Sequence, residues 1–273
     1  MTDSKMTIIV VSYDGYSDMW EHFFYLKRTN WPDCPFNTIL ANNTKSFNDS
    51  TVRVVNCGDH ALWSTRTKIA LEQIETEYVC FLLEDYYISE KVDTVSILNV
   101  LDIMSKHRID YYKLLSFSKI STPFFDKKQR IRYIPASLKY GISLQPSIWN
   151  RKFFLQMIGN GDYNPWRFEL DRICDSEVER NPQKIVGLYD ERNLLNICHM
   201  AVQGKYIPAS LREMKRKGFL IDTSLRETMN LKESIFYSIK RHTKGLVALF
   251  PFLRKVGKFL GIESIRERET IKE

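Results

Sequence analysis

The sequence predicts an α/β protein: a mixed, mostly parallel sheet flanked by helices, with a C-terminal amphipathic helical extension. Three observations predict it. Short, nearly continuous apolar runs, 6–13 and 78–83, read as strands buried on both faces of a sheet. Segments with helical apolar spacing lie between such runs, the pattern of strand–helix–strand units. The 273 residues are 44% hydrophobic and 27% charged, enough for one large domain or a domain with an appendage.

The first strand is the β-branched run Met6-Thr7-Ile8-Ile9-Val10-Val11-Ser12-Tyr13. Asp14-Gly15-Tyr16-Ser17 is the turn after it, and Ser17 or Asp18 is placed to cap a helix carrying Trp20, Phe23, Phe24 and Leu26. Strand, Gly-containing turn and helix outline a nucleotide site, without a GxGxxG or a Walker loop. Phe36–Ala41 and Thr51–Val55 are the second and third strands. The helix over Thr65–Ile74 has Arg66 near its start, where the helix dipole disfavours a cation; a phosphate or base contact would rationalise it.

Tyr78-Val79-Cys80-Phe81-Leu82-Leu83-Glu84-Asp85-Tyr86 is the run around which the chain is organised. It ends in two adjacent carboxylates, at the strand end where open α/β sheets place ligands. Unless the strand has already turned, period 2 sends the pair to opposite faces, so Asp85 is expected towards a ligand or cation and Glu84 towards the loop it braces.

Beyond it, Asp93–Met104 reads as a helix and Tyr111–Leu115 as a strand. Residues 121–132 are polar and basic, a loop or hairpin expected over the cleft. Ile142–Pro146 reads as strand and Ile148–Ile158 as helix, with Trp149, Phe153, Phe154 and Met157 apolar. A breaker cluster, Gly159–Pro165, precedes a helix with Trp166 and the acids Glu169, Asp171 and Asp175. A carboxylate beside a Trp wall is a candidate base, because apolar surroundings raise its pKa. Ile185–Tyr189 and Ile197–Val202 read as strands, with His199 a satisfied core histidine.

Near Asn230 the composition shifts. Between Leu231 and Leu260 stand Lys232, Lys240, Arg241, Lys244, Arg254, Lys255 and Lys258 against Glu233 alone, interleaved with apolar residues. That is a basic amphipathic pattern suited to an anionic membrane surface, and it divides the chain into residues 1–230 and a tail, 231–273. The formal charge of +7 favours anionic partners. Nucleic acid is not expected, for want of zinc-finger, helix-turn-helix or RNA-binding signatures. The cysteines, 34, 57, 80, 174 and 198, are scattered and odd in number, which reads as reduced and cytosolic. Neither a signal peptide nor a spanning helix is expected.

Three stretches carry a resemblance: Ile8–Gly15; Leu62–Arg66 through Ala70-Leu71 to Leu82-Leu83-Glu84-Asp85; and Leu144–Trp149 with Asn164–Glu169. They resemble bacterial GT-A-fold glycosyltransferases that build surface polysaccharides such as capsule and O-antigen, over most of residues 6–215. The resemblance implies a GT-A-like (Rossmann-like) catalytic domain over 1–230 and a membrane-associating tail over 231–273. It implies transfer, with inversion, from a nucleotide-diphosphate sugar, UDP-sugar first, to a lipid-linked or oligosaccharide acceptor such as a polyprenyl-diphosphate-linked glycan. The enzyme would be cytoplasmic and peripheral at the inner face of the plasma membrane.

Carried onto this chain, the resemblance places Ser12, Tyr13 and Asp14 against the base and ribose. Asp85, helped by Glu84, would hold Mn2+ or Mg2+ on the diphosphate. Glu169, with Asp171 second, would be the base, and Trp149 and Trp166 would shape the acceptor pocket. This chain has Glu-Asp-Tyr where the family has Asp-x-Asp; without a metal, Arg66 and the basic residues of 127–132 would neutralise phosphate. A later basic patch, Lys205, Arg212, Lys215 and Arg216, would clamp the diphosphate. The alternatives are a nucleotidyltransferase, which also wants carboxylates at strand ends, and a non-catalytic membrane-surface binding module.

Overall fold

The computed structural model describes residues 5–115, 121–173 and 180–239. In chain order it contains β1 (Met6–Val11), a 3-10 turn (Asp14–Met19), α1 (Trp20–Asn30), β2 (Thr38–Asn42), β3 (Val52–Asn56), α2 (Trp63–Glu72), β4 (Tyr78–Leu82) and β5 (Tyr86–Ile88). Then come α3 (Thr94–His107), β6 (Tyr111–Lys113), β7 (Phe124–Asp126), β8 (Ile131–Pro135), β9 (Ser147–Asn150), α4 (Arg151–Ile158) and α5 (Pro165–Ile173). The last elements are β10 (Ile185–Asp190), β11 (Ile197–His199), β12 (Ala201–Val202), β13 (Lys205–Tyr206) and α6 (Pro208–Arg216). Residues 231–239 are helical. Cys174, Asp175 and the tail from Lys240 onwards lie outside the described residues.

Among the described residues nine strands form the main sheet, in the order β3-β2-β1-β4-β9-β6-β10-β8-β7. β9 and β8 run against their neighbours and the other seven strands run one way, so the sheet is mixed and mostly parallel. The fold is α/β, a mixed, mostly parallel sheet with helices packed on both faces. Alternation along β1 explains the layers. Ile8 and Val10 pack with Trp20, Phe23 and Phe24 of α1 and with α3, whereas Ile9 and Val11 face Trp63 and Leu71 of α2 and Phe154 of α4.

Local chemistry fixes the boundaries. The Asp93 side chain accepts from Val95 N at 3.1 Å to start α3, and left-handed Arg108 (φ 53°) ends it. Asn150 starts α4 by accepting from Phe153 N at 3.2 Å. A Cβ on Gly187 would lie 2.6 Å from the Tyr111 carbonyl oxygen, so only glycine lets β10 close against β6 there.

Three expectations are corrected. Trp149 belongs to a strand: β9 is pinned between β4 and β6, and pairing on both sides overrides the helical apolar spacing of 148–158. Ile142–Pro146 is the loop leading into it. The basic segment 121–132 enters a β7–β8 hairpin at the far edge of the sheet, not over the β1–β4 end.

The chain returns to the first turn after α6. Asp222 N donates to His22 Nε2 at 3.0 Å, and Arg226 donates to Asp18 at 2.6 and 2.9 Å, to the Gly15 carbonyl and to the Gly204 carbonyl. An Asn230/Glu233 capping box then starts helix 231–239, with Asn230 N on Glu233 Oε2 at 2.8 Å and Glu233 N on Asn230 Oδ1 at 3.0 Å.

Candidate active site

Strand order reverses between β1 and β4. From β1 the chain winds outward through β2 and β3, then crosses back to place β4 on the other side of β1. Both strands are parallel, with Val10 opposite Leu82, so their carboxyl ends, Ser12–Asp14 and Leu83–Asp85, open side by side. Such a switch point leaves a crevice where backbone diverges to both sides, the ligand place of open α/β sheets.

On the β1 side, buried Ser12 accepts from Trp20 Nε1 at 2.8 Å and reaches the Glu84 carboxyl. Asp14 accepts from Thr44 N at 3.1 Å, Thr44 Oγ1 at 2.7 Å and Lys45 N at 3.3 Å. Burial works against its ionisation, but these bonds prevail and hold it below the usual carboxylate range. Its oxygens are thus engaged with the β2–β3 loop, which corrects its assignment to the nucleotide. Tyr13 keeps an exposed ring at the mouth. The Arg66 guanidinium lies 5.9 Å from that ring, buried, donating to the Ala61 carbonyl and to Asn43 Oδ1 at 3.4 Å. Burial lowers the Arg66 pKa, Glu84 opposes it, and Nε is buried with no partner.

On the β4 side the two carboxylates have unlike surroundings. Glu84 is buried, and burial first, then Asp85, push its pKa up, which favours the protonated acid. Asp85 is partly open; its Oδ2 lies 2.9 Å from His199 Nε2, while Oδ1 is buried with no partner. β11 pairs with β5, setting His199 opposite Tyr86, and Ser210 Oγ on α6 donates to the His199 carbonyl at 2.6 Å. His199 is therefore not the core residue its apolar neighbours Ile197, Cys198 and Met200 suggest. It stands at the site, brought there by long-range pairing that local sequence does not announce.

An orphaned carboxylate oxygen beside an imidazole fits a divalent cation. The 2.9 Å separation is that of a hydrogen bond, so Oδ1 is the Asp85 oxygen left for a cation. Among the described residues there is no cluster of three or more His, Cys, Asp or Glu side chains that could hold a metal, so phosphate oxygens and water would complete the shell.

The α5 residues separate. Glu169 Oε1 accepts from Leu144 N at 3.1 Å. It lies within electrostatic reach of Tyr86, whose hydroxyl is pushed well up by burial first and then by Asp85 and Glu169. Glu169 also acts on Lys113, which is buried at the carboxyl end of β6 and donates to the Tyr140 carbonyl at 2.7 Å. Burial pushes the Lys113 amine down to about 7, with Glu169 opposing. Asp171 is instead paired with Arg167 at 2.9 Å on the solvent side of α5, so it is removed from the catalytic set. Trp166 is 52% exposed, but Trp149 is fully buried, its ring 4.2 Å from both Phe154 and Tyr111. No face of Trp149 can meet an acceptor.

The proposed phosphate neutralisers are also rearranged. Arg130 and Arg132 both pair with Glu191, far along the sheet from β1. Lys205 is held by Glu227 at 3.0 Å and Glu233 at 2.9 Å, while Arg212, Lys215 and Arg216 are exposed on α6. Sequence reasoning missed Tyr16, whose phenol is pushed up to about 12 by burial first and then by Glu84 and Asp85. It also missed Arg226, stacked 4.1 Å over the Tyr16 ring from the other end of the chain.

No family description and no curated protein matches the chain. Among solved structures it is similar to S. aureus TarS 1-349, with 14% identity, 55% of this chain, 48% of that chain and a TM-score of 0.38. The complex of that protein with UDP aligns over 96% of this chain and 77% of that chain, at 13% identity and a TM-score of 0.41. The 4-diphosphocytidyl-2C-methyl-D-erythritol synthase from Anaerococcus prevotii aligns over 79% of this chain and 97% of that one, at 11% identity and a TM-score of 0.40. In the first of these alignments the chain spans about half of the TarS 1-349 length. These are distant likenesses of fold.

Proposed function

We propose that the protein is a glycosyltransferase that takes a sugar from a nucleotide-diphosphate sugar, UDP-sugar first, to a hydroxyl of a lipid-linked or oligosaccharide acceptor in surface-polysaccharide synthesis. The observation that carries the reading is the switch-point crevice between β1 and β4, with the Asp85–His199 pair at the end of β4 and Arg66 within electrostatic reach of Glu84 beside it. The Tyr13 ring offers a stacking face for the base. A divalent cation bound by Asp85, whose other oxygen His199 holds, would neutralise the diphosphate. Arg66, desolvated and lacking a partner at Nε, adds a fixed positive charge where the leaving group develops negative charge. As the bond from the anomeric carbon to the phosphate oxygen breaks, the acceptor oxygen bonds to that carbon and its proton passes to Glu169.

The test is Glu169→Gln, which keeps the Leu144 contact while removing the base. It should bind a UDP-sugar like wild type and lose transfer by about 100-fold or more. Full transfer by the variant would remove Glu169 from the mechanism. Pyrophosphate release from a nucleoside triphosphate by wild type would make the protein a nucleotidyltransferase instead.

A further inference from the structure

The helix over residues 231–239 is mounted with its apolar side outward. At 100° per residue, Glu233 and Tyr237 share one side, and Leu231 and Ile235 lie about opposite them. The Glu233 side faces the domain: its carboxylate takes Lys205 Nζ at 2.9 Å, and Tyr237 acts electrostatically on Tyr86 beside Asp85. The other side shows Leu231 at 76% exposed, with Ile235 and Ile239 also exposed, and Phe236 is exposed between the two sides. Leu220 and Leu225 stand out from the preceding segment at 77% and 79%. A soluble helix normally turns such residues inward.

We propose that Leu220, Leu225, Leu231, Ile235 and Phe236 form a platform that seats the protein on an anionic bilayer, with the candidate site's rim beside the lipid surface. The choice of occupant follows from charge. Lys232 lies within the helix, Lys240, Arg241 and Lys244 follow it in sequence, and Glu233 is already neutralised by Lys205. Cationic residues following apolar ones in sequence suit anionic headgroups above acyl chains. A second copy fits less well, because it would bring the same net-positive segment, with Lys232, Lys240, Arg241 and Lys244 against Glu233, up to its own copy. No helix among the described residues is long and apolar enough to cross a membrane, so the contact is interfacial. This goes beyond the transfer reaction and is read without any donor.

The experiment is flotation of the full chain with vesicles of phosphatidylcholine alone or with phosphatidylglycerol, at low and high salt. Wild type should bind the anionic vesicles and release at high salt. The triple variant Leu231→Ser, Ile235→Ser, Phe236→Ser should bind them at least tenfold more weakly, with its melting temperature and UDP-sugar affinity unchanged. The proposal is overturned if wild type ignores anionic vesicles or if the triple variant binds equally well. It is also overturned if the variant only dissolves a wild-type dimer. Donor binding, measured separately, tells failure of this proposal from failure of the transferase reading.

Discussion

Replacing Lys113 by Met should stabilise the protein at acid pH and cease to do so as the pH rises. Lys113 has an unfolded-state pKa of 10.5 and a folded one of about 7, lowered by burial. Below pH 7 both states hold the proton, and the folded state bears the full cost of a buried ammonium, a ceiling of roughly 5 kcal/mol. Above pH 7 the folded state releases the proton while the unfolded state keeps it, so wild-type stability rises with pH until about pH 10.5. Met fills similar volume but leaves the Tyr140 carbonyl without its donor, a loss of about 1–3 kcal/mol. The net expectation is a gain of about 2–4 kcal/mol at pH 6, smaller by about 3 kcal/mol at pH 9. Urea unfolding of both proteins at the two pH values gives the difference directly. A variant destabilised at pH 6, or a difference that does not change with pH, would refute the reasoning.

Other outcomes follow from packing and pairing. Trp149→Ala should cost about 3–5 kcal/mol in urea unfolding, whereas Trp166→Ala should stay within about 0.5 kcal/mol, because one ring is core and the other surface. Arg226→Ala strands Asp18, whose carboxylate is only 14% exposed, and should cost about 3 kcal/mol; hydrogen exchange should rise in 222–230 and in the 14–19 turn together. His199→Ala should weaken UDP-sugar binding in Mn2+ but leave binding without metal unchanged, measured by calorimetry.

The sheet was legible where its strands are buried on both faces. β1 and β4 announce themselves as apolar runs because nothing along them meets solvent. Glu84 and Asp85 follow the strand end, but in the turn between β4 and β5, where a period of 2 no longer decides their sides; one is buried and one partly open. Legibility failed where distant pairing decides. Trp149 carries the spacing of a helix and is held as strand by β4 and β6. His199 looks like core until β11 is laid on β5, 114 residues away from its partner Asp85. Asp14 has the chemistry of a ligand contact but is consumed by Thr44 and Lys45. Arg226 reaches Asp18 across 208 residues, a contact no local pattern encodes.

Calorimetric titration of a UDP-sugar with Mn2+ into wild type and Asp85→Asn tests the central claim most directly. Asn keeps the side-chain shape beside His199 but removes the charge facing the crevice. The wild type should bind, and the variant at least tenfold more weakly at an unchanged melting temperature. Equal affinities, or a wild type that binds no nucleotide sugar, would contradict a donor diphosphate held between β1 and β4.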